Sequence, residues 1–230
     1  MAQELANQGA KIALIDLNEA QLQETVALVE QSGAKAKYYI ANVTVETEVE
    51  EIFEAINRDF NGFDVLVNNA GILDSQARLD EISLSRFRKI FEVNVFGSFL
   101  CAKAAVKHMS TANGGVGGAI VNVSSAASRL GSPNEYVDYA ASKGAIDSMT
   151  IGLSKEVAAE GIRVNAVRPG LIYTDIHRDS GDQNRVDKLK NNVPMKRGGR
   201  AEEVANTIMW LLSEQSSYIT GALLDVSGGR

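Results

Sequence analysis

The sequence predicts an α/β fold built on a doubly wound parallel sheet. Two observations carry this reading. Short apolar runs alternate with longer stretches patterned at helical spacing along the whole chain. The residues with chemical potential gather where those apolar runs end. Strand, helix, strand, helix in repetition means parallel strands joined by right-handed crossovers, with helices on both sheet faces. Ligands then belong at the carboxyl ends of the strands.

Each element has its own signal. Lys11-Ile-Ala-Leu-Ile-Asp16 reads as a buried strand. Asn18 offers an N-cap, Leu22, Val26 and Val29 share one helical face, and Gly33 stops that helix. Ala36–Ala41 is a second strand. Thr44 is placed to cap the next helix, whose stripe is Val45, Val49, Ile52, Phe53 and Ile56. Asp64–Val67 is the third strand. A long helix runs from about Ser83 to Met109, and another from Tyr136 to about Glu160. Between them Ala119–Val123 is a fourth strand. Arg163–Val167 is a fifth. Residues 175–190 read as polar and mobile. Val204, Ile208, Leu211 and Leu212 mark a last helix, and Leu223–Val226 a last strand.

The composition excludes several function classes. A chain of 230 residues, 45% hydrophobic, suits one domain over residues 1–230 with a full core. A net charge of -6 argues against nucleic acid as a partner. No stretch approaches a membrane span. Cys101 is the single cysteine, which fits a reducing cytoplasm and a buried apolar role. His108 and His177 lack a neighbour at ligand spacing, so no metal is expected. Gly114–Gly118 lies between a helix and a strand, where a dinucleotide loop does not belong, and reads as a flexible connection. Lys188–Arg200 reads as a basic, solvated loop near a substrate lid.

The chemistry concentrates in Tyr139-Ala-Ala-Ser-Lys143, with Ser124 and Ser125 upstream. Residues four apart on a helix share a face, so Lys143 sits beside the Tyr139 phenol. Its charge is expected to lower the phenol's pKa. Tyr139 can then give a proton to a carbonyl or take one from an alcohol. The Ser125 hydroxyl, at a strand end, can hold the substrate oxygen as charge develops on it. No side chain supplies a hydride, so a cofactor must.

With Asn68-Asn-Ala-Gly71, Asn94 in Val-Asn-Val-Phe-Gly, Ser125, Tyr139-x-x-x-Lys143 and Pro169-Gly170 in this order, the chain resembles the short-chain dehydrogenase/reductase family over essentially its whole length. It looks closest to bacterial sugar (glucose) dehydrogenase-like and 3-oxoacyl carrier-protein reductase-like members. The resemblance implies a Rossmann-like fold, an NAD(P)-dependent carbonyl/alcohol interconversion and a homotetramer. It implies catalytic roles for Asn94, Ser125, Tyr139 and Lys143, with Asn94 acting through a helix irregularity and a water. Ser125 needs one extra loop residue against the family spacing and Ser124 needs two, which favours Ser125. Asn69, Ala70 and Gly71 would line the nicotinamide ribose, whose hydroxyls Lys143 would also bond, while Asn68 ties neighbouring strands. Pro169, Gly170, Ile172 and Thr174 would flank the nicotinamide, and Asn42 and Val43 the adenine. Many relatives carry aspartate at the Asn42 position. Asp16 ends the first visible strand, where a carboxylate accepts from a ribose 2′-hydroxyl and repels a 2′-phosphate, so NAD is favoured, with NADP as the alternative.

The chain departs from the family at its start. Met1–Gly9 already matches the helix that should follow a glycine-rich turn, so roughly twenty residues of the family pattern are absent. The absent strand would lie between Lys11–Asp16 and Asp64–Val67, leaving two strand edges unpaired. The glycine backbone donors for a pyrophosphate would also be missing, which implies weak cofactor binding by these residues alone. The favoured expectation is part of a longer active enzyme. The alternative is a truncated, catalytically weak relative acting as a cofactor-sensing or interaction protein. A sugar-nucleotide epimerase shares Tyr-x-x-x-Lys but usually adds a large C-terminal substrate domain.

Overall fold

The computed structural model describes residues 1–176 and 181–230. His177 therefore lies outside the described residues. Four strands form a parallel sheet in the order β3 (Val65–Asn68), β4 (Gly118–Val123), β5 (Ile162–Pro169) and β8 (Leu223–Val226). A separate parallel pair joins β1 (Ile12–Asp16) to β2 (Ala36–Ile40), with Ile12 opposite Ala36. The short β6 (Ile172–Tyr173) pairs with β7 (Gly199–Arg200) beyond the end of β5.

The apolar strand runs are explained by burial on both faces. Successive residues of a strand point to opposite sides. Ile120 and Val164 pack with Val49 and Phe53 of α3 (Glu46–Phe60), and with Ala105 and Met109 of α5 (Ser98–Met109). Their neighbours Val121 and Val167 pack on the other side, against Ile208 and Leu211 of the C-terminal helix Ala201–Leu212. Ile12 and Val29 meet Ala6 of α1 (Ala2–Asn7), with Val29 supplied by α2 (Glu19–Glu30).

β1 and β3 do not pair. A cleft of about 1220 Å³ separates them, lined by Ile12–Asp16 on one side and Val65–Asn68 on the other. The unpaired edges expected from the sequence are therefore present.

Several local readings change. Thr44 does not cap α3. Val45 holds the N-cap position, and the Thr44 hydroxyl turns back to Asn42 Oδ1 at 2.8 Å. The helix expected over Ser83–Met109 is three pieces: α4 (Leu84–Phe91), a π-helical stretch over Glu92–Gly97, and α5. Ser83 caps α4, its hydroxyl accepting from Arg86 N at 3.2 Å. After α6 (Ala127–Leu130), the second long helix, α7, runs over Val137–Glu156.

The glycine run is tightly packed where a flexible connection was expected. Gly117 N donates to Met109 O at 2.8 Å and Gly118 N to Gly161 O at 2.9 Å. At Gly118, φ is +145° and a Cβ would stand 2.0 Å from Asp64 O. Residues 185–189 form a helix, α8 (Arg185–Leu189), so the stretch is not loop throughout. The C-terminal helix is accordingly α9. The basic segment is largely neutralised, because Lys188 pairs with Asp182, Lys190 with Asp187 and Arg197 with Glu203.

Candidate active site

β4, β5 and α7 bring the chemical residues together. β4 runs out into Ser124 and Ser125. Ser124 is buried and its hydroxyl donates to Lys143 O at 3.1 Å, which holds strand end to helix. Ser125 instead lies near enough to the Tyr139 hydroxyl to favour its ionised form, and its Oγ accepts from Ala127 N at 3.1 Å. Lys143 lies one helical turn beyond Tyr139. Its ammonium is 5.6 Å from the centre of the Tyr139 ring and donates to Val123 O at 2.8 Å.

Burial sets the electrostatics here, against the expectation of a lowered phenol pKa. Tyr139 is raised, because desolvation of the phenolate outweighs the opposing influence of the Ser125 hydroxyl. Lys143, 4% exposed, is pushed down to about 8 by burial, with the Asp147 carboxylate opposing that shift. The ammonium's hydrogen bond goes to the Val123 carbonyl.

Asn94 sits fully buried in the π-helical stretch. Its side chain is committed: Oδ1 accepts from Ile72 N at 2.8 Å, and Nδ2 donates to Ile72 O at 3.0 Å and Ser142 Oγ at 3.1 Å. It thereby ties the segment after β3 to α7. A Cβ at Gly71 would stand 3.4 Å from both Asn94 Oδ1 and Lys143 Nζ, so these three residues converge. Asn68 links strands and helix, its Nδ2 donating to Asn122 Oδ1 at 2.9 Å and Ser98 O at 3.2 Å.

Two cavities meet at this site. Ser125, Tyr139, Lys143, Gly71, Pro169, Gly170, Ile172 and Thr174 line one of about 500 Å³. Asp16, Val43 and Ala70 line the larger cleft between β1 and β3, and Asn69 lines both. The larger cleft is the slot between the unpaired strand edges and extends to Gly62 and Val116 at the strands' amino ends. Only its carboxyl end, at Asp16, Val43, Asn69 and Ala70, adjoins the Tyr139 cavity, where a dinucleotide would lie. The nicotinamide half is well furnished, with an ammonium, hydroxyls and a glycine free of side chain. At the other end the Asp16 carboxylate is exposed and accepts from Asn18 N at 2.9 Å. Asn42 is less available: its Oδ1 accepts from Thr44 N and its own N donates to Glu48.

Sequence reasoning missed three supports. Asp138 is buried and accepts from Arg86 Nε at 2.7 Å, while its Oδ1 takes Tyr139 N at 2.9 Å, which fixes the start of α7. Asp147 pairs with Arg168 Nη2 at 2.9 Å. Tyr136 lies one turn before Tyr139 and lines the same cavity. Its spacing of three residues from Tyr139 was the available signal.

Comparison with known proteins decides the family. The family model described as enoyl-(acyl carrier protein) reductase matches residues 1–230. The chain belongs to the short-chain dehydrogenase/reductase family. It is an oxidoreductase of that family, with the family's Rossmann-like fold. It is 52% identical over 227 residues to the uncharacterized oxidoreductase YgfF of Escherichia coli strain K12, covering 98% of this chain and 92% of that protein. Glucose 1-dehydrogenase 2 of Bacillus subtilis strain 168 is 39% identical over 206 residues, covering 90% of this chain and 79% of the relative. The solved structure of NAD+-bound xylitol dehydrogenase superposes with a TM-score of 0.92 at 34% identity, covering 99% of this chain and 92% of that one. Among the described residues no helix is long and apolar enough to cross a membrane.

Proposed function

We propose that this short-chain dehydrogenase/reductase interconverts a carbonyl and an alcohol on a small-molecule substrate, with NAD as hydride carrier and Tyr139 as general acid and base. The observation that carries the reading is the convergence of Ser125, Tyr139 and Lys143 on one cavity at the strand ends, with the Lys143 ammonium 5.6 Å from the Tyr139 ring. The NAD+-bound xylitol dehydrogenase of the same fold supports the cofactor. The exposed Asp16 carboxylate favours NAD over NADP. When bound, the cofactor supplies or accepts the hydride.

The chain's own residues do the rest. The substrate oxygen takes its place between the Ser125 and Tyr139 hydroxyls. Raised by burial, Tyr139 stays protonated at neutral pH, which suits it to donate as a carbonyl becomes an alkoxide. Ser125 holds that oxygen as charge develops. The Lys143 ammonium sits beside the ring as a fixed cation, and Asn94 positions Gly71 and the helix face that carry these groups. Asn42, Val43, Asn69, Ala70, Pro169, Gly170, Ile172 and Thr174 serve as cofactor-lining residues.

Tyr139→Phe tests this: turnover followed by nicotinamide absorbance should vanish while the circular dichroism spectrum stays native. Undiminished turnover would remove the assignment. We further read residues 1–230 as one catalytic unit of a cytoplasmic homotetramer. Leu84, Phe87, Phe96 and Phe99, exposed along α4 to α5, support helix-to-helix assembly, and the single buried thiol of Cys101 fits a reducing compartment. Light scattering on a sizing column checks the assembly, and a stable monomer refutes it.

A further inference from the structure

The cavity that holds Ser125 and Tyr139 is also lined by Tyr136, Arg185 and Arg230. Tyr136 is 3% exposed, and its buried hydroxyl has no hydrogen-bond partner among the described residues. Buried hydroxyls are normally paired, and one left unpaired beside a ligand cavity points to a partner that arrives with the ligand. The ring is held firmly. The Arg185 guanidinium lies 5.0 Å from its centre and is itself 5% exposed. Arg185 forks onto Glu135, donating from Nη1 at 3.2 Å and Nη2 at 2.5 Å, so its charge is already neutralised. Arg230 differs. Its guanidinium has no hydrogen bond or ion pair among the described residues, and it lies near enough to Arg185 and Glu135 to feel both charges. Two guanidiniums and one carboxylate leave this end of the cavity cationic, with the Arg230 N–H groups available to donate and the Tyr136 O–H buried beneath the cavity wall, within a ligand's reach once the side chains over it move aside.

We infer that this end of the cavity binds an anionic oxygen group, a carboxylate, carried by the substrate away from its reacting carbon. Tyr136 is the specificity-determining donor and Arg230 its charge partner. The inference rests on the carbonyl/alcohol reading of the site and names the substrate class: oxo or hydroxy acids with a remote carboxylate. The apolar walls formed by Leu171, Ile172, Val204 and Ile208 would enclose the carbon skeleton between the two ends.

Calorimetric titration of the full chain with three matched ketones tests it: cyclohexanone, 4-hydroxycyclohexanone and 4-oxocyclohexanecarboxylate. The wild type should bind the carboxylate about tenfold or more tightly than cyclohexanone, the range of one hydrogen bond to a charged group. Tyr136→Phe and Arg230→Gln should each reduce that preference by about tenfold. With turnover measured, the same loss should appear as a raised KM for the carboxylate. Equal binding of the carboxylate and cyclohexanone by the wild type overturns the proposal, as does a preference that survives both substitutions. A Tyr136-dependent preference for the hydroxyketone over the carboxylate overturns the anionic assignment. Tyr139→Phe separates this inference from the reading beneath it, because it should remove turnover and leave the binding preference in place.

Discussion

Replacing Lys143 by methionine should stabilise the fold at neutral pH while abolishing turnover. The native ammonium is 4% exposed, and its pKa falls from 10.5 to about 8 because burial penalises the charged form. Below pH 8 both folded and unfolded chains hold the proton, and the whole penalty, about 3 kcal/mol, weighs on the native state. Between 8 and 10.5 the unfolded chain still binds a proton that the native chain has released, so stability rises with pH. Above 10.5 both are neutral and the penalty is gone. Methionine keeps an unbranched stem but leaves the Val123 carbonyl without its 2.8 Å partner, which costs about 1 kcal/mol. The variant should therefore be about 2 kcal/mol more stable than wild type at pH 7 and nearly equal to it at pH 10. Urea unfolding followed through Trp210 fluorescence at both pH values measures the difference, and subtraction removes every other titrating group. A difference that does not move with pH, or a variant less stable at both, would refute the reasoning.

Other expectations follow from the same structure. Carbonyl reduction should hold level through neutral pH and fall only as alkaline pH takes the raised Tyr139 proton, whereas alcohol oxidation should climb over that range; pH–rate profiles in both directions check this, and a reduction rate that already falls between pH 6 and 7 would contradict it. Gly118→Ala should destabilise by roughly 3 kcal/mol, seen as a lower urea midpoint, because a Cβ there meets the Asp64 carbonyl. Cys101, 6% exposed with its thiol pushed up to about 12, should resist alkylation by iodoacetamide in the native state and react freely after unfolding.

Much of the fold could be read in the chain, for a local reason. Runs such as Ala119–Val123 are apolar on both faces because the sheet is covered on both faces, and that needs no tertiary knowledge. The gathering of Ser125, Tyr139 and Lys143 was legible because helical spacing and strand ends place side chains predictably, whereas Asn94 came only from the resemblance to the family's motifs. What failed depended on contacts, near or far, that the residue pattern does not show. Thr44 looked like a cap, but Asn42 Oδ1 takes its hydroxyl. Gly114–Gly118 looked flexible, but the backbone of Asp64 and Gly161 presses against it from other elements.

The Tyr139–Lys143 pair shows why spacing alone misjudges a site. Sequence places the two groups side by side, and in water such a pair would lower the phenol's pKa. Burial reverses the balance, since it disfavours the phenolate and the ammonium alike, lifting one pKa and lowering the other. The two values are thus driven past one another, Tyr139 above its ordinary 10.0 and Lys143 down to about 8, so that the phenol keeps its proton while the ammonium one helical turn away is the first to lose one. That order disfavours a standing phenolate–ammonium pair and leaves Tyr139 as a neutral proton donor. The Lys143 ammonium is buried at a cost to stability, and its hydrogen bond to the Val123 carbonyl holds it beside the ring.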